Sequence, residues 1–234
     1  MTGDLVYGRR AVREALRGRR QVLELWATER ALTGEPWLAE GRSRTVTERE
    51  LTERAGTRDH QGVVAVVEPF RYADAYELAA GPKPLLVALD RVTDPHNLGA
   101  VCRSAEGAGA SGVVVPAHGS AVVTPAVARA SAGAVEHLPV AVVTNLARYL
   151  EEVKGADLWV FGAAGEAGAR SMWEADLSGG VALVLGAEGK GLRPLVRRVC
   201  DELVSIPLHG NVESLNVSVA AAVLLYEARR QRDG

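Results

Sequence analysis

The chain has 234 residues, 47% of them hydrophobic and 24% charged, with a formal net charge of −2. This length is enough to bury a full core and suits one large or two small domains, while the near-neutral charge lacks the basic excess of a nonspecific phosphate binder. The residues up to Arg20 hold no apolar signal-peptide core and no apolar run reaches the roughly 20 residues of a membrane span, so a cytoplasmic protein with no membrane attachment is expected.

In chain order, Val12, Ala15 and Leu16 have helical spacing, which predicts a helix over Tyr7 to Arg17 that stops at Gly18. Gln21 to Ala27 then alternates like a strand. Thr47 and Glu50 form a T-x-x-E capping box that starts a helix ending near Gly56, and the β-branched run Gly62 to Glu68 reads as a strand. Residues 1–70 therefore read as a small α/β domain. Residues 71–84, ending in Gly81-Pro82-Lys83-Pro84, read as a linker, and 85–234 as a second domain. Arg9, Arg10, Arg13, Arg17, Arg19 and Arg20 face only Asp4 and Glu14 in the opening stretch. They make a local positive face, which charge alone leaves open between an RNA contact and a solvated surface.

From Leu85 the pattern changes to continuous apolar strands, LLVALD at 85–90, GVVVP at 112–116, LWVFGAA at 158–164 and VALVLG at 181–186. This is the pattern of a buried parallel sheet. Thr124-Pro125 and Asn145 to Lys154 mark helices between them, ELVSIPL at 202–208 is a last strand, and Ser214 to Gln231 a last long helix.

Several motifs fail in context. Gly107-Ala108-Gly109-Ala110-Ser111-Gly112 fits GxGxxG but follows a helix and precedes a strand, the reverse of a dinucleotide site. Gly186 to Gly191 lacks the Ser or Thr of a phosphate loop, and Val184 stands where that loop needs glycine. Asn216-Val217-Ser218 is a glycosylation sequon only by letter. Cys102 and Cys200 form no CxxC pair and read as small hydrophobes; with no metal-pair spacing among His60, His96, His118, His137 and His209, no metal is expected.

Three polar stretches remain, each following a buried strand, where open α/β sheets bind ligands. They are Asp90 to Gly99, running into a helix with Arg103 and Glu106; Leu185 to Leu192; and Ser205 to Val217. Any one of Asn97, Arg103 and Glu188 has an ordinary reading as a cap, a surface charge or a turn residue. Together the stretches concentrate polar residues and glycines at three strand ends, as a ligand held by backbone groups requires.

DPHNLGAVCRSAEGAG (94–109), VALVLGAEGKGLR (181–193) and IPLHGNVESLNVSVAAAVLLYEA (206–228) resemble the three motifs of the SpoU/TrmH family of RNA 2′-O-methyltransferases. YGRRAVREAL (7–16) and HQGVVA (60–65) are similar to the amino-terminal substrate-binding domain of bacterial 23S rRNA guanosine-2′-O-methyltransferases, a domain like ribosomal protein L30e. The resemblance implies a SPOUT-type α/β parallel sheet with a deep C-terminal trefoil knot, a homodimer meeting through the knot region, S-adenosylmethionine as cofactor and 23S rRNA as partner. It further implies that the backbone around Leu185, Gly186, Ala187, Ile206, Leu208 and Leu215 cradles the cofactor, flanked by Ser214 and Asn216. Asn97, Arg103 and Glu188 would complete the polar site, with Arg103 the candidate for activating the ribose hydroxyl. An arginine is almost always protonated, so an orienting role for Arg103 is expected and the proton acceptor stays open. Spacing also leaves open whether Glu188 organises the cofactor loop or contacts the nucleotide, whether Asn97 binds ribose or shapes its motif, and whether Arg9, Arg10 and Arg13 touch RNA. The same motifs would suit a tRNA substrate or an rRNA adenosine, as in thiostrepton-resistance enzymes. A noncatalytic rRNA-binding assembly factor is the reading from another class.

Overall fold

The computed structural model of the chain describes residues 3–155, 157–165 and 168–234. It divides into two compact units, one holding the residues up to Arg71 together with Val123–His137, the other holding Tyr72–Val122 and Leu138–Gly234.

The first unit runs β1 (Asp4–Tyr7), α1 (Arg9–Arg17), β2 (Val22–Ala27), α2 (Glu29–Gly34), α3 (Trp37–Glu40), β3 (Arg44–Thr45), α4 (Glu48–Ala55) and β4 (Val63–Val67). Its sheet has the order β1-β4-β2-β3, with β4 antiparallel to both neighbours and β3 parallel to β2. The capping box forms as its sequence dictates: the Thr47 hydroxyl accepts from Glu50 N, the Glu50 carboxylate accepts from Thr47 N at 2.7 Å, and α4 stops at Gly56 with φ 65°. Leu51 on this helix packs on Trp26 and Val64, and the Arg54 guanidinium lies 4.6 Å from the Trp26 ring.

The second unit opens inside the segment expected to be a linker. Asp74 caps α5 (Ala75–Ala79) by accepting from Tyr76 N at 2.8 Å, and the buried Tyr149 hydroxyl donates to Ala75 O at 2.8 Å. Residues 72–84 thus pack into the second unit, because Ala75 and Leu78 contribute to its core. β5 (Leu85–Asp90), α6 (Pro95–Gly107) and β6 (Gly112–Pro116) follow. α7 (Pro125–Ala130) and the 3-10 turn Ala134–Glu136 then return to the first unit, a departure from the expected division at residue 85. There α7 packs on β1 and α1 and the turn packs on α1, while Arg20 donates to both Glu136 oxygens and to Asp4, with the Glu136 side chain fully buried.

The chain completes the second unit with β7 (Val140–Val143), α8 (Leu146–Val153), β8 (Trp159–Ala163), β9 (Arg170–Ser171), β10 (Val181–Gly186), α9 (Pro194–Val199), β11 (Glu202–Ser205) and α10 (Val217–Asp233). Its sheet, ordered β7-β6-β5-β10-β8-β11-β9, is parallel throughout. Both faces of its central strands are covered, so the expected apolar runs are buried along their length. The final strand ends at Ser205 rather than 208, since Pro207 has no N–H to give a ladder, and the last helix begins at Val217 with Asn216 as its cap.

Register aligns Leu89 with Leu185 and Asp90 with Gly186, while β11 lies beyond β8 on the same side. The carboxyl ends of β5, β10 and β11 therefore share one edge of the sheet. α10 packs on α6 and β10 and ties both ends of the layer. Arg229 donates to Ala108 O at 2.9 and 2.7 Å, satisfying a carbonyl at the end of α6. A β-carbon on Gly109, which has φ 67°, would overlap that guanidinium. The GxGxxG letters are thus packing glycines. At the opposite edge Arg232 donates to Pro84 O at 2.9 Å and Gly179 O at 2.5 Å. Among the described residues, no helix is long and apolar enough to cross a membrane.

Candidate active site

Three of the expected site residues meet at the carboxyl edge. Asn97 stands in the first turn of α6, which Asp94 caps by accepting from His96 N and Pro95 opens at N1. Glu188 sits in the turn after β10, and Asn216 caps α10 through a bond from Ser218 N to its Oδ1 at 2.9 Å. The Asn216 amide donates to Glu188 Oε1 at 2.6 Å and to Asn97 Oδ1 at 3.0 Å, while the Asn97 amide donates to the same Glu188 oxygen at 3.2 Å. One carboxylate thus collects two side-chain amides and lies at the amino terminus of α10, where the helix dipole favours negative charge.

The turn that carries Glu188 is shaped by its glycines. Ala187 O accepts from Gly191 N at 2.9 Å and Lys190 N at 3.3 Å, and Gly189 and Gly191 take φ of 72° and 61°. A β-carbon on Gly186 would overlap the backbone of Gly191 and Leu192. The chain therefore folds back on itself directly after the buried Leu185.

The segment from Ile206 to Leu215 is held differently. None of its backbone N–H groups donates within the described residues, while Ile206 and Leu215 are half-buried and Leu208 and Ser214 exposed. Free amides beside apolar side chains match the hydrogen-bonding edge of an adenine and the aliphatic methylenes of the cofactor's methionine moiety, so the residues present fit S-adenosylmethionine.

Arg103 lies on α6, exposed and without a hydrogen bond or ion pair among the described residues, so no bond joins it to Asn97. Ser214 makes no bond to the cluster. The arginines of the first unit separate by environment. Arg9 donates to Glu35 Oε1 at 3.3 Å and to Gln61 O at 3.2 Å, Arg17 pairs with Glu14, and Arg20 is part-buried against Glu136, whereas Arg10 and Arg13 are exposed and have no partner among the described residues.

Sequence reasoning missed the partnership beneath the site. Asp90 is fully buried at the end of β5 and accepts from Arg193 N at 2.8 Å and Arg193 Nε at 2.6 Å, fixing the start of α9 beside the glycine turn. The available signal was an acid closing an otherwise apolar strand, because a buried charge must find a partner. Burial pushes the Cys102 thiol up to about 12 and the Cys200 thiol up to about 11, which removes both from nucleophilic chemistry.

Comparison with known proteins places the chain in a family. Residues 84–226 match the SpoU rRNA Methylase family and residues 5–73 match the RNA 2'-O ribose methyltransferase substrate binding family. The chain is 42% identical to the 23S rRNA (guanosine-2'-O-)-methyltransferase RlmB of Shewanella oneidensis over 98% of either protein. It is similar in structure to an RNA 2'-O ribose methyltransferase, with TM-score 0.84 and 32% identity over 98% of this chain and 89% of that one. It is also similar to the SpoU methyltransferase AviRb of Streptomyces viridochromogenes in complex with AdoMet, with TM-score 0.79 and 30% identity over 98% of this chain and 90% of the other. With both domains matched and the three strand-end motifs assembled at one edge, the chain belongs to the SpoU rRNA methylase family.

Proposed function

We propose that this protein transfers a methyl group from S-adenosylmethionine to the ribose 2′-hydroxyl of a guanosine in 23S rRNA, in the peptidyl-transferase loop. The observation that carries the reading is the hydrogen-bonded cluster of Asn97, Glu188 and Asn216, which joins the three family motifs at the ligand-binding edge of a parallel sheet. The names of its relatives support guanosine and 23S rRNA.

When bound, S-adenosylmethionine supplies an electrophilic methyl group on a positively charged sulfur. Leu185, Gly186, Ala187, Ile206, Leu208 and Leu215 would hold it through backbone groups, with Ser214 and Asn216 alongside. The chain's own residues then position the nucleophile. A ribose hydroxyl is a very weak acid, so it must be held in line and relieved of its proton, and orientation is the larger contribution. Arg103 has a free, exposed guanidinium on α6 and would orient the substrate phosphate and hydroxyl. Glu188 and Asn97 hold motifs 1 and 2 to the cap of α10.

The family reading extends to architecture. The C-terminal segment forms the family's trefoil knot, a reading supported by β10 inserting between β5 and β8 while α10 packs back on α6. The first unit is L30e-like and presents Arg10 and Arg13, with Arg9, to RNA. Two copies pair through the knot region; Val219 and Tyr226, one helical face of α10, are exposed in the single chain and support a partner there. An rRNA-modifying enzyme of this kind acts in the cytoplasm.

The test is transfer of labelled methyl to unmodified 23S rRNA, mapped by 2′-O-methyl-sensitive primer extension. A single stop at a guanosine in the peptidyl-transferase loop is expected. A stop elsewhere changes the target, and no transfer with no cofactor binding overturns the enzyme reading in favour of rRNA binding alone.

A further inference from the structure

One cation at the carboxyl edge of the large sheet takes no part in the cluster. Arg91 leaves β5 directly after Asp90, is exposed, and has φ 62°, a left-handed conformation that costs energy for a residue with a β-carbon. Asp90 does not neutralise it, since both Asp90 oxygens are taken by Arg193. Among the described residues Arg91 has no ion pair or hydrogen bond of its own. Lys83 is also left-handed in this unit, but it precedes β5 at the opposite edge. A turn built only for shape would carry glycine at 91.

The loop after β6 lies against this arginine. The β-carbon position of Gly119, which has φ 73°, is 3.9 Å from Cγ and Nε of Arg91, and Ala121 N donates to Val92 O at 2.8 Å. Between those two anchors the Ser120 hydroxyl is buried with no hydrogen-bond partner. The backbone N–H groups of His118, Gly119 and Ser120 donate to nothing within the described residues. A guanidinium, an orphan hydroxyl and successive free amides around a left-handed glycine are the components of an anion site, and a buried orphan group calls for an explanation.

We propose that Arg91 and the loop 117–121 bind a phosphodiester of the RNA substrate beside the transfer site. The inference rests on the RNA methyltransferase reading. Phosphate is favoured over a base edge because Arg91 and the free amides are donors without an acceptor among them.

The experiment compares wild type with Arg91→Gly and Arg91→Lys, using full-length chain and a 23S rRNA fragment across a range of potassium chloride. RNA affinity is read by filter binding, methyl transfer as kcat and KM, and cofactor affinity by calorimetry. Glycine suits the backbone at 91, so Arg91→Gly should fold with an unchanged or higher Tm and bind S-adenosylmethionine normally. It should weaken RNA binding by about five- to tenfold, and the slope of log affinity against log salt should fall by roughly 0.7–0.9, one phosphate contact. Arg91→Lys should keep the slope. Ser120→Ala should weaken RNA binding in the same direction. Unchanged RNA affinity and salt slope in Arg91→Gly would overturn the proposal, as would a loss confined to kcat or to cofactor binding. If the wild type transfers no methyl, the enzyme reading fails, while the filter-binding comparison still decides the phosphate contact.

Discussion

Glu188 and Asn216, 28 residues apart in sequence, are joined by a 2.6 Å hydrogen bond in which the cap of α10 donates to a carboxylate held in a glycine turn. Glu188→Ala leaves two amides without their anionic acceptor. Because the cluster is exposed, the fold should hold, with Tm falling by less than about 4 °C. Methyl transfer should fall by about 10²-fold as motifs 1 and 2 lose register with the helix cap. Steady-state kinetics beside a thermal melt separates the two effects, and a variant with wild-type kcat/KM would remove Glu188 from the machinery.

The Gly186 backbone leaves no room for a side chain. Gly186→Ala should force the 186–191 turn open, cost about 1–3 kcal/mol of stability and weaken S-adenosylmethionine binding by at least about tenfold. Calorimetric titration of the folded variant checks this, and normal affinity would show that the turn does not shape the cofactor site.

Glu136→Gln leaves the Arg20 guanidinium, only 10% exposed in its side chain, without the carboxylate that accepts two of its bonds. Breaking one side of a buried pair typically costs about 3–5 kcal/mol. Replacing both, as Arg20→Met with Glu136→Leu, should recover most of that loss. Urea unfolding of the single and double variants provides the comparison, and equal losses in both would show that the pair is not the source of the cost.

Both thiols should be silent in the native protein. With Cys102 held near 12 and Cys200 near 11 by burial, Ellman's reagent at pH 8 should label neither within minutes and both after addition of guanidinium chloride. Rapid labelling of the folded chain would contradict the packing around α6 and α9.

Much of the second unit was readable because its strands are buried on both faces. LLVALD at 85–90 and VALVLG at 181–186 match the observed strands residue for residue. The Thr47 box was equally legible, since capping is decided within four residues. What escaped depends on distance in sequence. VAVV at 140–143 is too short to declare itself, and α5 hides between a run of prolines and glycines. The stretches holding Asn97, Glu188 and Asn216 could be named from composition and resemblance. That the three side chains bond to one another could not, because no local pattern encodes a contact spanning 119 residues. The return of 123–137 to the first unit was hidden for the same reason, as it rests on contacts distant in sequence, the Arg20–Glu136 pair 116 residues apart among them.

That return decides how these modules can be recombined. Since the chain crosses from one unit to the other after residues 71, 122 and 137, the first unit is not a contiguous piece of sequence. A gene cut in the segment before β5 would yield a fragment lacking α7 and its following turn, with Arg20 stripped of its buried counter-charge. Exchanging the first unit between relatives therefore requires two grafts made together, the leading segment and the 123–137 insert, and evolution of one is constrained by the other.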